Sequence, residues 1–190
     1  MQMSKSWLDW FTGKSAGDWD RRTKPAPEMP QLEPEDFDPV TGAIHWAKFT
    51  RILEAERLQS AGALLVIDLD ERSTEIETLA EERRKSVLPW LSQSIRHAVR
   101  AEDLVTHLYD YRFAVLLRGA AQEVADTVAK RIRASVDDTI FMTNEGISRL
   151  GVAVGGVTYD PAREKDNDII KAAFDNLGNA AKSEPFILIS

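Results

Sequence analysis

RAEDLVTHLYDYRFAVLL, residues 100–117, reads as strand, tight turn, strand. Leu104, Val105 and Leu108 supply one apolar arm, and Phe113, Ala114, Val115, Leu116 and Leu117 supply the other. Tyr109, Asp110, Tyr111 and Arg112 stand between the arms as the turn. A buried hairpin with a polar tip presents that tip at a working surface, because loops carry chemistry and cores carry packing.

Outward from this hairpin the chain alternates strands and helices. Ala63 to Asp68, ALLVID, is a continuous apolar run ending in an acid, the pattern of a central strand buried on both faces. Trp46, Phe49, Ile52 and Leu53 form the buried side of a helix before it. Glu75 to Arg84 is charged and helix-permissive. Pro89 suits the first turn of a further helix, carried on by Leu91, Ile95 and Val99. Val124, Val128, Ile132 and Val136 recur every four residues in a helix over 121–136. A glycine-containing strand over 150–158, a helix over 169–181 and a closing strand over 186–189 complete the order. A mixed order with an antiparallel hairpin at its middle predicts an α/β (α+β) fold, a mixed central sheet with helices on its faces.

The hairpin and its flanks resemble the GGDEF, or diguanylate cyclase, family. That family carries an Arg-x-x-Asp pair, five residues, then Gly-Gly-Asp/Glu-Glu-Phe and an apolar strand. Here Arg100 and Asp103 are the pair, and Tyr109-Asp110-Tyr111-Arg112-Phe113 stands in the signature's place with only the Phe retained. Asp38-Pro39-Val40-Thr41-Gly42 resembles the motif that opens such domains. The resemblance runs from Asp38 to about Ile189 and implies the nucleotidyl-cyclase-like fold.

The family joins two GTP molecules, one held by each subunit of a dimer, and its metal carboxylates come from a strand end and from the signature. Asp68 matches the first. Tyr111 stands at the second and is no anionic oxygen ligand at neutral pH. The family's guanine-reading residues fall on Ile76 and Lys85, an apolar group and a donor where an acceptor is needed. The resemblance therefore implies an inactive domain, not an enzyme, with no cofactor and Asp68 as a metal-site remnant. Arg-x-x-Asp is in the family the primary part of an inhibitory site for cyclic di-GMP, and a second family Arg falls on Arg131. Arg100, Asp103 and Arg131 are the candidate ligand site. A guanidinium suits the guanine O6/N7 edge, and a carboxylate accepts from N1–H and N2–H. Another reading makes Arg100 and Asp103 a surface ion pair closing a helix, worth about 0–1 kcal/mol, and the domain a ligand-free protein–protein interaction scaffold.

Residues 1–37 differ in composition and form an N-terminal segment and linker, ahead of a domain over 38–190. Trp7, Trp10 and Phe11 fall on one helical face and are read either as folding back on the domain or as docking a protein partner in a bacterial signalling pathway. Pro25, Pro27, Pro30 and Pro34 mark an extended linker. With no cysteine there is no disulfide and no thiolate metal site. The net charge of −7 argues against non-specific nucleic-acid binding. No apolar run approaches the roughly 18 residues of a membrane span, and the N-terminus lacks a signal's apolar core. The expectation is a cytoplasmic protein, with a homodimer implied by the family's reaction.

Overall fold

A computed structural model describes residues 22, 27–73, 76, 81–143, 146–162, 168–180 and 186–189. Eight strands and four α-helices are formed among them, in the order β1 (Ile44–His45), α1 (Trp46–Arg57), β2 (Gly62–Leu69), α2 (Glu81–His97), β3 (Leu104–Tyr109), β4 (Arg112–Arg118), α3 (Gln122–Asp137), β5 (Ile140–Thr143), β6 (Gly146–Arg149), β7 (Val152–Tyr159), α4 (Ile169–Asn179) and β8 (Phe186–Ile189). Six strands make one sheet in the order β1-β3-β4-β2-β7-β8, and β5 and β6 make a separate hairpin. The outer pairs β1–β3 and β7–β8 are parallel, and the three inner pairs are antiparallel.

Helices cover both faces. Ala63, Leu65 and Ile67 of β2 lie in one core with Phe113, Val115 and Leu117 of β4, Leu91 and Ile95 of α2, and Val128, Ile132 and Val136 of α3. Leu64 and Val66 turn the other way, into a second core with Phe49 and Leu53 of α1 and Ile169 and Ala173 of α4. Since a strand's side chains alternate, a strand covered on both sides must be apolar throughout, which is why ALLVID reads without alternation. Ile76, an expected base-reading position, is buried in the first core.

Three expectations need correction. Pro89 does not open a helix: it lies inside α2, a continuous helix of 17 residues. Its missing N–H removes one backbone bond, and the flanking Val87, Leu91 and Ile95, all buried, keep the helix packed through that gap. The β5–β6 hairpin and the two-residue β1 were not expected from the periodicity; both are too short to show a repeat. The hairpin turn is narrower than four residues, since Tyr109 and Arg112 pair across it and leave only Asp110 and Tyr111 as the loop.

The linker does not stop cleanly at 37. Phe37 makes a β-bridge to Ile44, and Leu32 and Phe37 pack against the second core. At the motif that follows, the Asp38 carboxylate accepts from the Val40 amide, the Thr41 amide and the Thr41 hydroxyl at 3.0, 2.7 and 2.9 Å. Gly42 takes φ 65°, a left-handed turn that glycine adopts without a Cβ clash. No described helix is long and apolar enough to cross a membrane. Trp7, Trp10 and Phe11 lie outside the described residues.

Candidate functional site

β2 and β4 run side by side with Ile67 opposite Phe113, so the next residues out, Asp68 and Arg112, meet at the end of the sheet. Arg112 Nε donates to Asp68 Oδ2 at 2.8 Å, and Arg112 Nη2 bonds the same oxygen. The Leu69 amide donates to Asp68 Oδ1 at 2.9 Å. Arg112 Nη1 also bonds the Tyr109 hydroxyl, and its guanidinium lies 4.9 Å from the Tyr109 ring centroid and 5.7 Å from that of Phe174. The tip is thus a partly exposed cluster centred on the Arg112 guanidinium. Asp110 holds φ 47° in the turn, a conformation that Asp tolerates better than most residues. His107 Nε2 donates to the Asp110 carbonyl at 2.9 Å across it.

This donor set does not fit a divalent cation. Such an ion needs several hard oxygen ligands, whereas the Asp68 carboxylate already carries a guanidinium and Tyr111 contributes no carboxylate. Among the described residues no group of three or more His, Asp or Glu is arranged to hold a metal ion.

The Arg-x-x-Asp segment lies between α2 and β3. Asp103 turns its carboxylate inward and is fully buried. Two main-chain amides hold it: Arg100 N–H to Oδ2 at 3.0 Å and Arg118 N–H to Oδ1 at 3.1 Å. A guanidinium fork completes the set, with Arg22 Nη1 to Oδ1 at 2.6 Å and Arg22 Nη2 to Oδ2 at 2.7 Å. Arg22 Nη1 also donates to the Arg118 carbonyl at 2.6 Å. The Arg22 side chain is 2% exposed, so the pair is sealed. Four donors occupy the roughly four lone-pair positions of a carboxylate.

Arg100 therefore meets Asp103 through its amide, not its guanidinium. Arg131 stands exposed on α3 and is not among the partners of Asp103. Arg96 Nη1 donates to the Asp103 carbonyl at 3.2 Å. Burial pushes the Arg96 guanidinium down to about 10, with the Asp103 charge acting in the opposite direction.

Sequence reasoning missed Arg22, Glu56 and Arg118. Arg118 closes β4 and is fully buried. Its Nε donates to both Glu56 carboxylate oxygens at 2.9 Å. Its Nη2 reaches the carbonyls of Pro27 and Glu28 at 2.9 and 2.7 Å, and its Nη1 the Met29 sulfur at 2.9 Å. Residues 27–29 are thereby strapped onto the domain beside Arg22. A charge directly after the apolar run FAVLL was the available signal for Arg118. Arg22, among the polar residues of the linker, gave none.

Comparison with known proteins follows the same line. The profile of the family "Diguanylate cyclase, GGDEF domain" matches residues 36–185. A Bacillus subtilis protein, the uncharacterized YhcK, is 26% identical over 140 residues, covering 70% of this chain; the chain spans 39% of that relative's length. The crystal structure of the FimX GGDEF domain from Pseudomonas aeruginosa superposes with a TM-score of 0.70 at 21% identity, covering 82% of this chain and 99% of that one. The GGDEF domain of DgcB from Caulobacter crescentus, solved in complex with c-di-GMP, superposes at 0.67 with 16% identity, covering 87% and 98%.

Proposed function

The chain belongs to the diguanylate cyclase GGDEF-domain family, and on that premise we propose that it is a catalytically inactive member serving as a cyclic di-GMP receptor. Its ligand site is built on Arg100 and Asp103, with Arg131 as the closing cation. The observation that carries the receptor half is the donor pattern at Asp103. Each carboxylate oxygen already receives one N–H from the Arg22 fork and one main-chain amide. A guanine edge, with N1–H and N2–H side by side, makes the same demand. The c-di-GMP complex of DgcB supports the choice of ligand.

The inactive half is supported by the hairpin tip. Arg112 neutralises Asp68, and Tyr109 and Tyr111 put rings where a triphosphate needs bare backbone and a second carboxylate. Ile76, buried, offers a base no hydrogen bond.

Two measurements test this. Incubation with GTP and Mg²⁺ or Mn²⁺ is expected to yield no cyclic di-GMP; turnover above a protein-free control overturns the inactive half. Titration calorimetry of the full chain with cyclic di-GMP is expected to give binding that Arg100→Ala abolishes. Unchanged binding by Arg100→Ala moves the ligand elsewhere. A second reading, the ligand-free interaction scaffold, is favoured by the half-exposed Tyr109 at the tip, a residue type enriched at interface hot spots. It is what remains if cyclic di-GMP binds neither the wild type nor a variant lacking the Arg22 side chain.

A further inference from the structure

The receptor reading and the geometry at Asp103 make a joint demand. A carboxylate with four donors in place has no capacity for a ligand. Two of the four are main-chain amides of the turn and of β4, fixed by the fold. The other two belong to Arg22, which is 81 residues away in sequence. Only the Arg22 pair can leave without unfolding the domain. The N1–C2–N2 fragment of guanine is itself a guanidine, so both occupants present parallel N–H donors in a plane to the same two oxygens.

We infer that Arg22 is a built-in occupant of the Asp103 site, and that cyclic di-GMP binds by displacing it. The inference rests on the receptor reading and adds its regulation. Ligand occupancy and release of the segment around Arg22 are then one equilibrium. The ligand's apparent affinity is lowered by the fraction of molecules in which Arg22 is seated. Residues 27–29 stay anchored by Arg118.

Two readouts on the full-length chain test this. The first is titration calorimetry with cyclic di-GMP on the wild type and on Arg22→Ala. Removal of the internal occupant is expected to tighten binding by at least about tenfold. Binding by Arg22→Ala with none by the wild type supports the inference in its strongest form. Equal affinities overturn it and leave the receptor reading standing; no binding by either protein overturns both. The second readout needs no variant. Trypsin cleaves after Arg22 only when that side chain leaves its buried pair, and cyclic di-GMP is expected to accelerate this cut with the same saturation as the calorimetric binding. Binding without any change in cleavage at Arg22 overturns the inference.

Discussion

Asp103 decides what the Arg-x-x-Asp segment is. At the surface, such a pair contributes little, because water screens it. Fully buried and forked by Arg22, it becomes a charge that the interior has to answer with hydrogen bonds. Asp103→Ala takes the counter-charge from the Arg22 guanidinium and the acceptor from two main-chain amides in the interior, and is expected to cost about 3–5 kcal/mol, read by urea denaturation. A loss under 1 kcal/mol would place the carboxylate in solvent. Asp38 gives a prediction in pH. Burial acts to raise its carboxyl, but the amides and hydroxyl of Thr41 and Val40 together outweigh that and hold it below the usual 3.8. A depressed carboxyl means the unfolded chain takes up the proton first, so stability is full above that value and falls as pH drops through the lower folded value. Asp38→Asn is expected to flatten the acid limb of a stability–pH curve below pH 4; an identical limb contradicts the assignment.

Between elements, α4 comes close to β7 at Gly155. A Cβ on Gly155 would sit 2.0 Å from the Leu177 nitrogen and 2.3 Å from its Cα, both backbone atoms that cannot rotate aside. Gly155→Ala is therefore expected to destabilise by about 1–3 kcal/mol, seen as a lowered melting temperature; a neutral result would mean α4 shifts freely on the sheet. Most elements were legible in the sequence for a physical reason. Long helices bury one stripe, and Val124, Val128, Ile132 and Val136 announce it; central strands are apolar on both faces, and ALLVID and FAVLL announce that. Where the signal is too short, as in β1 and the β5–β6 hairpin, no period can build up. In α2, Pro89 misled because a local breaker was overridden by packing on either side of it.

At the scale of the whole molecule, the contacts of the candidate site were legible only where they are local. Local spacing pointed to Arg100 and Asp103, and the tip residues to a lost signature, because those groups lie in one contiguous stretch. It did not show that Asp68 is answered by Arg112 across two strands, or Asp103 by Arg22 across 81 residues, since pairing between distant residues leaves no periodic trace. That long span has a kinetic consequence. Arg22 docks onto groups supplied by the turn before β3 and by β4 together, so its seat exists only once the sheet has assembled. Contacts of this kind form on the native side of the folding barrier. Arg22→Ala is expected to steepen no part of the refolding limb in a chevron plot and to raise the unfolding rate alone; slowed refolding would place the strap in the nucleus. The first native contact to let go would then be the Arg22–Asp103 pair, with the α/β domain still intact behind it.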